Sequence, residues 1–410
     1  MPDSEVTTAA EGARYLRAQD LCEGEITADD PIFVTQRYLA TIARSHIKPG
    51  YLLFSIMASI GNCAIVPSNF QTATANRAVG ILVPKSDDAI LTKFMFYLLS
   101  TDLGTELYTR IKKGGLQQRT NLADVSLLEF PLPPKEIRSD LASAMDSARA
   151  KRRAKLAEAD ALLAGLDGYV LETLGLTLPP KDARMVFAIR RGTVPTRFDP
   201  HFHLPAFAQV LRMLSTNGSE PLGGLIVFSK ETWKSEQHES DTFRYIEIGS
   251  VNRETGEATA VETPVAEAPS RARMVVADGD IIVSLTRPHH GSIAQITPDL
   301  DGCVASTGFA VLRGVDEQRV MRDYLWCILR TRMSLAQMLQ RASGGNYPAI
   351  TEPELAKVLI PVPKMDAQET IAIEARRRRE EARRLRAEAE AGWQAAKRWF
   401  EEQLLGLAQS

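Results

Sequence analysis

A chain that repeats itself over the length of a domain must fold into two copies of that domain, and this chain does so. Gly61 recurs as Gly291, Ala75 as Ala305, Leu82 as Leu312 and Gly114-Gly115 as Gly344-Gly345, an offset of 230 residues (291 − 61). Upstream the register slips by one residue, so that Lys48-Pro49-Gly50-Tyr51-Leu52-Leu53-Phe54-Ser55 answers to Ala277-Asp278-Gly279-Asp280-Ile281-Ile282-Val283-Ser284. Downstream Pro131-Leu132-Pro133 answers to Pro361-Val362-Pro363, and each opens a long charged stretch. The agreement covers roughly 160 residues, a whole domain with a helix rather than a solenoid unit of about 20 to 50. Two similar domains, each followed by a long helix, imply pseudo-twofold symmetry and a molecule that reads two things.

With 410 residues, 44% of them hydrophobic and 24% charged, each half has enough material for its own core. No apolar run approaches the roughly 18 to 20 residues of a membrane span, and Met1-Pro2-Asp3-Ser4-Glu5 carries no export signal, which leaves the cytoplasm as the default location. Cys22, Cys63, Cys303 and Cys327 show no CxxC spacing and read as reduced apolar filler. The six histidines, His46, His201, His203, His238, His289 and His290, form no metal pattern, although His201 and His203 would share one face of a strand. A net charge of −2 argues against a uniformly basic surface and leaves room for local basic patches.

Period-2 and β-branched segments predict strands at 32–34, 51–56 and 78–83, the last matching 309–312, with a turn at 20–24. A helix over 91–100 has its counterpart around Tyr324, Cys327 and Ile328, so each globular part is mixed α/β. The long helices are predicted from Ile137 to about Leu174 and from Asp366 to about Leu405. Their seams run Leu141, Met145, Ala148, Arg152, Lys155, Ala159, Leu162, Leu166, Tyr169 and Ile371, Ala375, Arg378, Ala382, Leu385, Ala389, Gly392, Ala396, Trp399. Sustained 3-4 spacing with small central residues and charged flanks predicts that the two pair as an antiparallel coiled coil; two independent surface helices are the alternative. At 1.5 Å per residue such helices reach about 57 Å, which would place two heads on separate half-sites of a duplex whose turn is about 34 Å.

These features resemble the specificity subunit (HsdS) of type I restriction-modification systems. The resemblance rests on Gly279 to Ser284, the Gly291 turn, Ala305-Ser306-Thr307-Gly308, the Ser343-Gly344-Gly345-Asn346-Tyr347 loop, Ile360-Pro361-Val362-Pro363, and Gln368 with Ile371. Arg197-Phe198-Asp199-Pro200 followed by His201-Phe202 is similar to the segment that starts such a domain. It implies target-recognition domains at 1–135 and 178–365, with helical spacers at 136–177 and 366–410. It also implies a non-catalytic subunit that binds double-stranded DNA and recruits two methyltransferase subunits and restriction/translocase subunits. S-adenosylmethionine would belong to the partner methyltransferase, with no cofactor in this chain. The residues agree: no NPPY-like or DPPY-like segment and no GxxxxGK[ST] loop occurs. One departure is expected to matter. Arg190 to Arg244 precede the repeat in the second copy and have no counterpart in the first, which is therefore expected to lack an opening helix and first strands.

Reading a duplex needs side chains for base edges and cations for phosphates. In the first copy Arg110, Lys112, Lys113, Gln117, Gln118 and Arg119 surround Gly114-Gly115, and in the second Arg341, Ser343, Asn346 and Tyr347 surround Gly344-Gly345. Amides of Gln and Asn suit adenine, and glycines let the backbone approach; a solvated loop is the alternative. Arg287, His289 and His290 form a second candidate after the strand at 281–285, and Arg271 and Arg273 precede that strand. Arg376-Arg377-Arg378-Arg379 alternates with Glu380-Glu381 and reads as a solvated or partner-binding helix face. The competing function is a coiled-coil scaffold with two protein-binding heads and no DNA role.

Overall fold

The strands follow the duplication. The computed structural model describes residues 3–22, 24–27, 30–57, 61–83, 88–111, 120, 122–178, 186–189, 197–216, 218–237 and 240–407. The chain divides into two units, Met1–Leu156 with Arg386–Ser410, and Ala157–Leu385.

In the second unit one four-stranded sheet runs Val261–Pro264, Thr242–Ile246, Val304–Ser306, Ala272–Val275, and its central pair is parallel. The other runs Ile226–Phe228, Phe309–Val315, Ile281–Ser284, Ile293–Gln295, all antiparallel. Ile282, Ala294 and Val311 pack with Ile246, Val276 and Ala305 in one core, while Ile281, Val283 and Leu312 face helices Arg322–Leu329 and Arg332–Arg341 in another. Consecutive residues of Ile281–Ser284 are all buried, as a strand covered on both faces requires. The first unit repeats this order. Gly12–Leu16 pairs parallel with Ala73–Ala75, and Val79–Leu82, Leu52–Ser55 and Cys63–Ile65 form the antiparallel sheet under helices Ala89–Leu99 and Asp102–Thr109.

The two sheets differ at one edge. Among the described residues Val79–Leu82 ends its sheet, whereas Phe309–Val315 has a further neighbour, Ile226–Phe228. The Gly279-Asp280 step has a structural reason in the second unit. Gly279 takes φ 78°, and Asp280, 1% exposed, accepts from Ala277 N–H at 2.8 Å and pairs with Arg313 Nη2 at 2.9 Å. A buried carboxylate must be paired, and the first copy has Tyr51 and Val83 at these two places instead.

The long helices span Lys135–Thr173 and Met365–Leu407. The first closes on Gly175 at φ 65°, with Gly175 N–H donating to Glu172 O and Leu176 N–H to Leu171 O at 2.8 Å, a left-handed C-terminal cap. Fully buried Gln368 ties the second helix to its domain through Met321 N–H, Arg319 O and Pro363 O. The helices run antiparallel in each unit. In the first, Leu141 and Met145 pack with Phe400 and Leu404, and further along Arg152 and Lys155 reach Glu390 and Glu388. In the second, Ala159 packs with Ala382 and Leu385, and Val170 lies in one core with Ile371 and Ala375.

Several expectations need correction. Trp399 is 39% exposed and Phe400 fully buried, because the last apolar step of the seam is four residues from Ala396 rather than three. Within the stretch expected as a turn at 20–24, Leu21–Cys22 is a short strand that pairs antiparallel with Glu25–Ile26. His201 and His203 sit in a 3-10 turn, Pro200–His203, because Pro200 leads the chain into a helical turn rather than a strand. Cys63, Cys303 and Cys327 are buried and free, whereas Cys22 is exposed and is no core filler.

Candidate nucleic-acid interface

The strand Ile281–Ser284 delivers the chain to Arg287, which has φ 47° and is the only non-glycine with positive φ among the described residues. Such a backbone costs on the order of 1 to 3 kcal/mol and persists only where its surroundings enforce it. Here Arg287 N–H donates to Pro348 O at 2.7 Å, Leu285 N–H to Gly308 O at 2.7 Å, and Ile350 N–H to Leu285 O at 2.8 Å. Ser343 and Ala349 exchange two backbone bonds of 2.8 Å, closing the Gly344-Gly345 loop, with Gly344 at φ 96°. The Arg287 guanidinium lies 4.4 Å from the Tyr347 ring centroid. Two candidates separated in sequence are thus one surface feature.

Tyr347 is 72% exposed, and Ser343 and Asn346 are exposed beside it. Arg287 therefore offers guanidinium donors stacked on a ring, and Asn346 an amide with both donor and acceptor. After Arg287 the 3-10 turn Pro288–His290 places the His289 and His290 rings 4.5 Å apart at 86°. Burial, then His290, Arg287 and His201, hold the His289 imidazole below its usual value; burial, then Arg253 and Arg287, do the same for His290. Both Nδ1 atoms are buried without a hydrogen-bond partner.

Arg271 is exposed, and its carbonyl accepts from Thr307 N–H at 2.7 Å; Gly308, next along, accepts from Leu285, so Arg271 borders the same rim. Arg273 points its Nε–H to Ser270 O at 3.0 Å on the strand Ala272–Val275, in the other sheet, and is not brought to Arg287. Arg341 pairs with Glu354 at 3.3 Å. In the first unit Arg110 is exposed at the end of helix Asp102–Thr109. Lys112, Lys113, Gln117, Gln118 and Arg119 lie outside the described residues.

The sequence missed two contributors. Arg197 binds Asp199 at 2.9 Å, donates to Arg341 O at 3.0 Å and stacks over Phe202 at 4.6 Å, so it anchors the helix end from which the Ser343 loop departs. Next to it Phe198 is 83% exposed. Exposed Arg253 is a cationic neighbour of His290 that no local pattern marks. The run Arg376 to Arg379 is split: Arg376 and Arg377 are exposed, as a solvated face requires, and Arg378 and Arg379 turn inward. Arg376 pairs with Asp323, Arg377 and Arg378 share Glu374, which they hold down to about 2, and Arg378 and Arg379 stack on Tyr169 and Trp326. Among the described residues no three His, Cys, Asp or Glu side chains converge as metal ligands, and no helix is long and apolar enough to cross a membrane.

A family model described as "Type I restriction modification DNA specificity domain" matches residues 2–156 and 222–373. The type I restriction enzyme HindI specificity subunit of Haemophilus influenzae is 27% identical over 109 residues, 26% of this chain; the chain spans only 24% of that relative's length. A solved structure from a study of complex assembly and conformational transition of the type I R-M system aligns over 98% of this chain and 94% of its own. Its TM-score is 0.50 at 18% identity. The HsdS subunit from Thermoanaerobacter tengcongensis aligns over 98% and 93%, with a TM-score of 0.32 at 17% identity.

Proposed function

Because the chain belongs to the type I restriction modification DNA specificity domain family, we propose that it is the non-catalytic DNA-reading subunit of a type I restriction-modification complex. In this reading each copy of the duplicated domain addresses one half of a bipartite target. The recognition domains are 1–135 and 178–365, and the helical spacers 136–177 and 366–410 carry the surfaces for two methyltransferase subunits and for restriction/translocase subunits. S-adenosylmethionine chemistry belongs to the partner methyltransferase.

The observation that carries the reading is the meeting of Arg287 and Tyr347 at 4.4 Å on an exposed rim with Asn346. A cation held on a ring positions phosphate, and an exposed amide on a glycine loop suits a base edge. Arg271, His289 and His290 supply further donors; Arg110, Lys112, Lys113, Gln117, Gln118 and Arg119 would serve the first half. Co-expression with an adenine methyltransferase from the same operon, followed by methylome sequencing, tests this. A bipartite methylated motif that disappears without the chain is expected. Complex formation with no motif and no DNA shift would favour the scaffold reading instead.

A further inference from the structure

The second unit holds a half-open cavity of about 70 Å³ between the long helices and the domain, lined by Asp167, Trp326, Arg330 and Arg379 among others. Two guanidinium groups lie over the indole of Trp326, itself 2% exposed: Arg379 at 4.2 Å and Arg330 at 4.9 Å from its centroid.

The charges around this cavity do not balance. Asp167 takes Arg332 at 2.6 Å, Asp323 takes Arg376 at 2.6 Å, and Glu257 takes Arg383 at 2.6 Å, so that Glu257 and Asp323 act on Arg379 only through space and not through a hydrogen bond. Glu254, at the rim, is already partnered. Arg330 donates to three carbonyls, Ile293 O at 2.9 Å, Arg253 O at 2.9 Å and Glu254 O at 2.8 Å, none of which carries a net charge. Arg379 has no hydrogen bond among the described residues; its Nε and the Trp326 Nε1 are both buried without an acceptor. Burial first, and Arg379 second, push the Arg330 pKa down to about 10.

The first copy resolves the same geometry differently. Arg149 stacks over Phe96 at 5.0 Å, but it donates to Gly24 O at 2.7 Å and to Glu25 at 2.8 Å, and Ser100 stands where the second copy has Arg330. The second copy has gained a guanidinium and left Arg379 with no bound carboxylate. Orphaned buried donors and uncompensated buried cations are each costly, and a multivalent oxyanion answers both through charge-assisted bonds.

We propose that this cavity is a binding site for a small tetrahedral oxyanion, inorganic phosphate, held by Arg379 and the Trp326 indole N–H and balancing Arg330. The anion fastens the domain, through Trp326 and the turn at 252–257, to the second long helix.

The test uses the full chain, exchanged into chloride, with phosphate titrated at constant ionic strength by equilibrium dialysis. One saturable site per chain and a rise in melting temperature are expected. Arg379→Gln should weaken the site at least about tenfold, the loss of one charge-assisted contact, while Arg287→Ala should leave it unchanged. That second variant keeps the result independent of the DNA reading. Absence of saturable uptake, or uptake by Arg379→Gln equal to that of the original chain, would overturn the proposal. If Arg379→Gln does not fold, Trp326→Phe decides: it removes the N–H and keeps a ring, as Phe96 does in the first copy, and an unaltered affinity overturns the proposal equally.

Discussion

Arg287 N–H donates to Pro348 O at 2.7 Å, and this bond holds the arginine backbone at φ 47° with its side chain over Tyr347. The strain and the ring contact act in opposite directions on stability. Glycine would relieve a left-handed backbone by about 1 to 2 kcal/mol, lose a cation–π contact of about 0.5 to 1 kcal/mol and add unfolded-chain entropy of about 0.5 to 1 kcal/mol. Arg287→Gly should therefore alter stability by less than about 1 kcal/mol in urea unfolding. DNA binding by the assembled complex should weaken, and the slope of log K against log salt should shrink by about 0.9, one phosphate contact. An unchanged slope removes Arg287 from the interface.

Asn346 presents its amide beside Gly345 on the same rim. Loss of a bidentate amide–adenine pair costs about 1 to 3 kcal/mol of discrimination. Asn346→Ala is expected to relax one position of one half-site, with the other half-site intact, in the methylome of cells carrying it. An identical motif at full occupancy would make Asn346 a turn residue.

The imidazoles of His289 and His290 both titrate below their usual 6.5 in the free protein. A depressed folded-state value means that the unfolded chain binds more protons, so stability should fall as pH drops below about 6.5. A nearby DNA phosphate favours the imidazolium, so binding should take up protons and tighten over the same window. Measured affinities between pH 7.5 and about 5.5 should show this, and His290→Gln should flatten the dependence. A flat profile in the unaltered chain would place the histidines away from phosphate.

Phe400 packs against Phe94 at 5.7 Å between centroids and is fully buried, whereas its neighbour Trp399 is 39% exposed. Phe400→Ala should cost about 3 to 5 kcal/mol, and Trp399→Ala within roughly 0.5 kcal/mol, by chemical denaturation. Equal costs would contradict the observed seam. Cysteines placed by Met145→Cys and Ala396→Cys should crosslink inside one chain, since both positions belong to one core.

The amino-acid sequence alone determined the duplication, the mixed α/β class and the two long helices, because backbone periodicity and repeat register are local and additive properties of the chain; it predicted the antiparallel pairing, which the contacts of Met145 with Phe400 and Ala159 with Ala382 decided. It also marked Ser343 to Tyr347 and Arg287 to His290 as separate loops. Only the tertiary structure decided that Pro348 and Ala349 lock them together, because the hydrogen bonds involved join residues about sixty apart whose spacing follows no period. The same limit explains Trp399 and the arginine run. Helical spacing gives a stripe, but whether Trp399 or Phe400 fills the last layer, and whether Arg379 faces water or the Trp326 ring, depends on what packs opposite. Charge balance is likewise a three-dimensional sum: five arginines and four carboxylates, Asp167, Glu254, Glu257 and Asp323, come together around Trp326 from separate segments, and only their assembly leaves Arg379 and Arg330 with no carboxylate hydrogen-bonded to them.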